Sequence, residues 1–298
     1  MTKLVSVVVA TYRRDRELKK ALCSLAEQSY RNLEIILVDD NGNAEWNGKV
    51  SAIVDEIRFL FPEISLKHIV NDQQQGSAKT RNIGIAASDG EYVTFLDDDD
   101  IYLSDKVTNQ LCFMEAGGYD YSVTDLVLYR EDEKKTDCRI RSYIKDTSAA
   151  ALTKYHLKYH ITGTDTMMFR RDYLEKIGGF AAVDVGDEYY LMQRAIDGGG
   201  VFGYLPRCDV KAYVHTGENG LSSGDSKIEG ENRLFEYKQQ FFSELDAETR
   251  NYICMRHYAV LAYAELRRGR LVSSFHYAVK SFLSDPQRCM ELFLMERK

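Results

Sequence analysis

Four short strand signals, each followed by a helix signal or a polar turn, constrain this chain most. They are Leu4 to Ala10, Leu33 to Val38, Leu66 to Val70 and Glu91 to Leu96. Apart from Ser6 and Glu34 the first two are apolar and rich in branched residues, as strands buried on both faces are. Asp15 reads as an N-cap, and Leu18, Ala21, Leu22 and Leu25 follow at helical spacing. A second helix is expected over about Lys49 to Phe61. A third is expected over Ser77 to Ala87, closed by the turn Ser88-Asp89-Gly90. Repeated βα units imply an α/β fold with a mostly parallel sheet and right-handed crossovers.

The pattern changes after residue 100. Ser104 to Ala116 reads as a helix, and Tyr121 to Tyr129 and Cys138 to Ile144 as two strands joined by a polar link. Thr164 to Phe169 reads as a strand, Gly178-Gly179-Phe180 as a turn and Asp187 to Ile196 as a helix. Val201 to Leu205 and Asp209 to His215 complete a mixed second half. Gly217 to Gly230 is a Gly/Ser-rich loop by composition, and from Glu231 onward the chain reads as helical. The expected organisation is a first half at 1–103, a second half of the same domain at 104–225, and a helical extension at 226–298.

Net charge bounds the partners. At −7, the chain lacks the surplus of Lys and Arg that general nucleic-acid binding needs. Six cysteines stand with no C-x-x-C pair, which points to free thiols in a reducing compartment and not to a zinc or redox motif. No stretch of about 18 apolar residues occurs, so a soluble or peripheral protein in the cytoplasm is expected.

Ligands of open α/β sheets bind beyond the carboxyl ends of the strands. Here the first strand runs into Thr11-Tyr12-Arg13, the second into Asp39-Asp40-Asn41, and the fourth into Asp97-Asp98-Asp99-Asp100. Adjacent carboxylates repel one another and raise one another's pKa values. A hard divalent cation, Mn²⁺ or Mg²⁺, relieves that repulsion and commonly shares its shell with substrate phosphates.

These motifs, in this order, resemble the family 2 inverting nucleotide-sugar glycosyltransferases, which have the GT-A fold. The resemblance covers about residues 4 to 220. It rests on Ser6-Val7-Val8-Val9-Ala10-Thr11-Tyr12, Val38-Asp39-Asp40-Asn41, Gly76 to Gly84, Phe95 to Asp100 and Gly178-Gly179-Phe180. It implies that Ala10 and Tyr12 pack near the nucleotide base, that Asp40 accepts from a uracil ring nitrogen, and that Arg81 touches base or ribose. Asp97 and Asp98 would meet the ribose and support the metal, and Asp99 would be its direct ligand, with His215 completing the shell. The family's base is usually the second acid of a Glu-Asp pair. This chain has the reverse order, Asp187-Glu188; position favours Glu188, with Asp187 orienting it or the acceptor.

The resemblance implies transfer from a nucleotide-sugar, a UDP-sugar by the Asp40 motif, to a hydroxyl of a glycan or lipid-linked acceptor in bacterial surface polysaccharide synthesis. A dinucleotide-binding dehydrogenase would need G-x-G-x-x-G after the first strand, where this chain has Ala10-Thr11-Tyr12-Arg13-Arg14. The rival from another class is a non-catalytic nucleotide-sugar-binding subunit, which would keep Asp40 and Asp99 but need no base. Residues 266–298 hold seven basic and three acidic residues, a net of +4 in a chain of net −7. Leu271, Phe275, Ala278, Val279, Phe282 and Leu283 share one helical face there. Two roles fit that face: packing on the protein's own core, or contact with the inner face of an anionic membrane.

Overall fold

The computed structural model describes residues 2–183, 186–214 and 225–295. The chain divides into two compact units. Residues 1–152 and 161–215 form the first; 153–160 and 216–298 form the second. The expected halves 1–103 and 104–225 therefore share the first unit as far as residue 215, apart from 153–160.

The first unit opens with the expected alternation: β1 (Val5–Thr11), α1 (Arg16–Ala26), β2 (Leu33–Asp39), α2 (Ala44–Leu60), β3 (Ser65–Val70), α3 (Ser77–Ala86) and β4 (Tyr92–Asp97). It continues with β5 (Ile101–Tyr102), α4 (Lys106–Gly117), β6 (Tyr121–Thr124), β7 (Leu126–Arg130) and β8 (Lys135–Arg139). Then come α5 (Ala149–Tyr159), which runs into the second unit, β9 (Met167–Arg170), α6 (Arg171–Lys176), α7 (Asp187–Asp197), β10 (Phe202–Leu205) and β11 (Val210–Val214).

The main sheet has seven strands in the order β10-β6-β9-β4-β1-β2-β3. β3, β2, β1 and β4 are parallel, and β9 lies antiparallel between β4 and β6. A second sheet of four strands runs β5-β11-β7-β8. The strand order turns back at β1, which has β2 on one side and β4 on the other, so the switch point falls at the carboxyl ends of β1 and β4.

Burial explains why the N-terminal reading holds. Val5, Val7 and Val9 of β1, Ile35 and Leu37 of β2, and Leu18, Ala21, Leu22 and Leu25 of α1 are fully buried in one core cluster. Several boundaries differ. α2 begins five residues earlier than expected, because Asn43 caps it by accepting from the amides of Glu45 and Trp46 (3.0 and 3.2 Å). The run Tyr121 to Tyr129 is two strands in different sheets, broken at Asp125. Asp125 is buried and accepts from Arg141 N–H and Tyr204 Oη. The strand expected over Cys138 to Ile144 is Lys135–Arg139, paired antiparallel with β7. Thr164–Thr166 is a 3₁₀ turn and not strand.

The second unit is helical. Its elements are α8 (Asp225–Gln239), α9 (Ala247–Arg267), α10 (Leu271–Ser284) and α11 (Pro286–Met295). Helix thus begins at Asp225, inside the segment expected to be a loop. Asp246 caps α9, accepting from Thr249 N–H (2.7 Å). No helix among the described residues is long and apolar enough to cross a membrane.

Candidate active site

The exits of β1 and β4 are tied together. Thr11 Oγ1 donates to Asp98 Oδ2 (2.7 Å), as does Tyr12 N–H (3.2 Å). Arg14 donates to Asp99 Oδ2 (2.7 Å). Ala10 is the last β1 residue registered against β4, opposite Asp97. Arg13 sits at φ 52° and donates its amide to Asn41 Oδ1 (2.8 Å), joining the exits of β1 and β2.

Asp40 is buried, and the chain's own donors hold it. Its Oδ1 accepts from Asn71 Nδ2 and from Gln75 N–H (2.7 Å each), and its Oδ2 from Gly76 N–H (2.9 Å). It thereby fixes the loop that starts α3. Arg81, one turn into α3, forks between two acids: one guanidinium nitrogen donates to Asp97 Oδ1 (2.6 Å), the other to Asp187 Oδ2 (2.8 Å). Burial works against its charge, but Asp97 and Asp187 outweigh it and raise its pKa. Ser77 Oγ also donates to Asp187 (3.0 Å). Asn82 and Phe180 exchange bonds (2.9 Å each way), locking the glycine turn onto α3. Gly179 has φ 59°, and a Cβ there would lie 2.6 Å from Asn82 Oδ1, so the turn requires glycine.

Three carboxylates converge just past β4. One oxygen each from Asp97, Asp100 and Asp165 lies within 4.8 Å of the others. Asp165 comes from the 3₁₀ turn and accepts Asp97 N–H (2.7 Å). Asp100 accepts Tyr213 N–H from β11 (2.8 Å). Burial, then Asp165, raises the Asp100 carboxyl; burial, then Asp97, raises that of Asp165. Burial and the adjacent Asp99 push Asp98 up to about 7. Buried acids in this number, without matching cations on each, are a donor set that a hard divalent ion fits. Asp99, the expected direct ligand, turns Oδ2 to Arg14 instead, outside the three-carboxylate cluster. His215 lies outside the described residues.

At the start of α7, Asp187 has both oxygens engaged: Oδ2 by Arg81 and Ser77, Oδ1 by Glu188 N–H (2.9 Å). Glu188 Oε2 accepts from Thr164 Oγ1 (2.9 Å). Burial, then Asp187 and Asp97, raises the Glu188 pKa.

Below the cluster sits a group the sequence reading missed. Lys106 is fully buried and donates to Thr94 Oγ1 (2.7 Å) and Tyr102 Oη (2.6 Å). Tyr102 Oη in turn bonds the Asp165 carbonyl (3.0 Å). This network pins the 3₁₀ turn that carries Thr164 and Asp165. Asp165 was hidden because Thr164 to Phe169 reads as one strand; the signal available was an acid between two threonines just before the apolar Met167-Met168-Phe169.

A mostly parallel sheet that switches at β1, with acids gathered at the carboxyl ends of its strands, fits the GT-A fold of nucleotide-sugar transferases. The model of glycosyl transferase family 2 matches residues 6–178, and the chain belongs to that family. An uncharacterised glycosyltransferase of Haemophilus influenzae is 34% identical over 111 residues, 37% of this chain and 42% of that protein. The Escherichia coli UDP-Glc:alpha-D-GlcNAc-diphosphoundecaprenol beta-1,3-glucosyltransferase WfaP is 28% identical over 130 residues, 43% of this chain and 48% of that protein. The matched segments thus span less than half of these relatives. Among solved structures, S. aureus TarS 1-349 superposes with a TM-score of 0.62 at 17% identity, covering 96% of this chain and 82% of that one. The mannosyltransferase PcManGT from Pyrobaculum calidifontis, in complex with GDP-Man and Mn²⁺, gives 0.60 at 16%, covering 98% and 79%. At these identities the likeness establishes the fold.

Proposed function

We propose that this chain is an inverting glycosyltransferase that moves a sugar from a nucleoside-diphosphate sugar, a UDP-sugar, to a hydroxyl of a glycan or lipid-linked acceptor. The observation that carries the reading is the convergence of Asp97, Asp100 and Asp165 beside a raised-pKa acid, Glu188. WfaP acts, by its name, on a diphosphoundecaprenol-linked sugar, and a TarS structure holds UDP-GlcNAc. Both fit a role in assembling bacterial surface polysaccharide in the cytoplasm.

Asp97, Asp100 and Asp165 are the residues we assign to hold a divalent cation, Mn²⁺ or Mg²⁺, with Asp98 and Asp99 alongside. Such an ion would supply Lewis-acid neutralisation of the donor diphosphate. Ala10 and Tyr12 would line the base, with Asp40 Oδ2 offering its second lone pair to a uracil ring N–H. Arg81 holds Asp97 and Asp187 in place, a positioning part in place of the direct base contact expected from sequence.

Glu188 is the base in this reading. It takes the proton of the acceptor hydroxyl as that oxygen attacks the anomeric carbon, and the bond to the diphosphate breaks on the opposite face with inversion. Its raised pKa makes it a stronger proton acceptor than an ordinary glutamate. Asp187, its oxygens filled by Arg81, Ser77 and Glu188 N–H, orients the pair. Glu188 also argues against a binding-only subunit, which has no need of a buried acid with a raised pKa. Purified protein with Mn²⁺ should consume UDP-sugars and release UDP faster when an acceptor is added, and EDTA should stop the reaction. Binding of UDP-sugars without any turnover, across donors and lipid-linked acceptors, would favour the binding subunit.

A further inference from the structure

Within the second unit, α10 packs in a way its sequence does not suggest. Its small residues face α9: Ser274 Oγ donates to the Ala262 carbonyl (2.9 Å) and Ser281 Oγ to the Met255 carbonyl (2.8 Å). An amphipathic helix ordinarily buries its apolar stripe on its own core. Here Leu271, Val272, Phe275, Val279, Phe282 and Leu283 are all exposed, with Val272 at 85% and Phe275 and Leu283 at 72%. At 100° per residue these six span an arc of about 120° along the helix. Contiguous exposed apolar surface of this kind marks an interaction site.

Charge selects the occupant. From Glu265 to Asp285 the chain carries Arg267, Arg268, Arg270 and Lys280 against two acids, Asp285 and the buried Glu265, which pairs with Arg268 and Arg270. Lys280 is exposed on α10 just past one edge of the apolar arc, and Arg267 and Arg270 are exposed at the turn that leads from α9 into α10. A second copy docked face to face would set this basic edge against itself. An anionic lipid surface would take the apolar side chains into its acyl boundary and the cations among its headgroups.

We propose that this face of α10 docks on an anionic lipid bilayer, with Val272, Phe275 and Leu283 as the inserted anchors. The proposal stands apart from the transferase reading, since it concerns surface residues of the helical unit and its test needs no sugar nucleotide.

The test is flotation of the full chain with phosphatidylcholine vesicles, with and without phosphatidylglycerol. The protein should float with the anionic vesicles at low salt, lose binding as salt rises, and not float with phosphatidylcholine alone. Val272→Glu, Phe275→Glu and Leu283→Glu together should abolish flotation while leaving the melting temperature unchanged, since all three are exposed. Arg267→Gln, Arg270→Gln and Lys280→Gln together should weaken binding on the order of 100-fold, from a factor of about five per cation. Absence of flotation at low salt, or full flotation by the triple glutamate variant, overturns the proposal. So does a concentration-dependent dimer in sedimentation that the triple glutamate variant dissolves, because the face would then be a self-interface.

Discussion

Asp165→Asn separates structural strain from metal binding at the acidic cluster. The amide is nearly isosteric with the protonated acid. Its oxygen can still accept Asp97 N–H, a bond of 2.7 Å in the native chain, and its NH₂ can donate toward Asp100. Burial, then the charge of Asp97, pushes the Asp165 carboxyl up to about 7, against about 3.9 for an unfolded aspartate. A carboxyl raised on folding costs nothing while protonated in both states. Below about pH 4 the metal-free protein carries no penalty from it; the penalty grows as pH climbs and is complete above about pH 7. Three units at about 1.4 kcal/mol each set an upper bound of about 4 kcal/mol. Since Asp100 and Asp165 interact and titrate together, we take about 2–4 kcal/mol for the pair.

Asp165→Asn should therefore raise the melting temperature of the metal-free protein by about 5–10 °C at about pH 8, and the gain should vanish near pH 4. Mn²⁺ should stabilise the native chain and do so far less in the variant, with transfer activity lost in parallel. Thermal melts across pH, in EDTA and in Mn²⁺, read both effects. A variant that is less stable without metal at pH 8, yet keeps the full Mn²⁺ shift, would refute the reasoning.

Two more outcomes follow from the same geometry. Glu188→Gln should lower kcat by at least about 100-fold with donor binding retained, and the acid limb of the native pH–rate profile should lie above the ordinary glutamate range, as the raised pKa requires; a crippled Asp187→Asn beside an active Glu188→Gln would move the base to Asp187. In the helical unit, burial pushes Lys238 down to about 7, so its charging penalty is complete below that pH and fades as pH rises toward about 10.5. Lys238→Met should stabilise the protein at neutral pH by about 1–3 kcal/mol and flatten the rise in stability between about pH 7 and 10; denaturant melts that show a loss instead would mean that its bond to His160 (2.5 Å) outweighs burial.

The sequence by itself determined the βα frame and the strand exits. Period and branching are local properties, and β1, β2 and α1 are buried as their apolar runs require. The carboxyl-end rule then put Asp97 to Asp100 on the same sheet edge as the exits carrying Thr11 to Arg13 and Asp39 to Asn41. Tertiary structure decided which carboxylates meet. Asp165 lies 65 residues beyond Asp100 in the chain, and only the pairing of β9 between β4 and β6 delivers it to the cluster. Tertiary structure also set Arg14 on Asp99 and Arg81 between Asp97 and Asp187, and ion pairs across elements carry no sequence period. The break of one apolar run at Asp125 likewise depends on Arg141 and Tyr204, distant in the chain. In α10 the helical spacing located the apolar face correctly, but whether that face meets the core or solvent is a matter of what α9 offers. Two serine hydroxyls bonded to α9 carbonyls settle it, and leave Leu271, Phe275 and Leu283 facing outward.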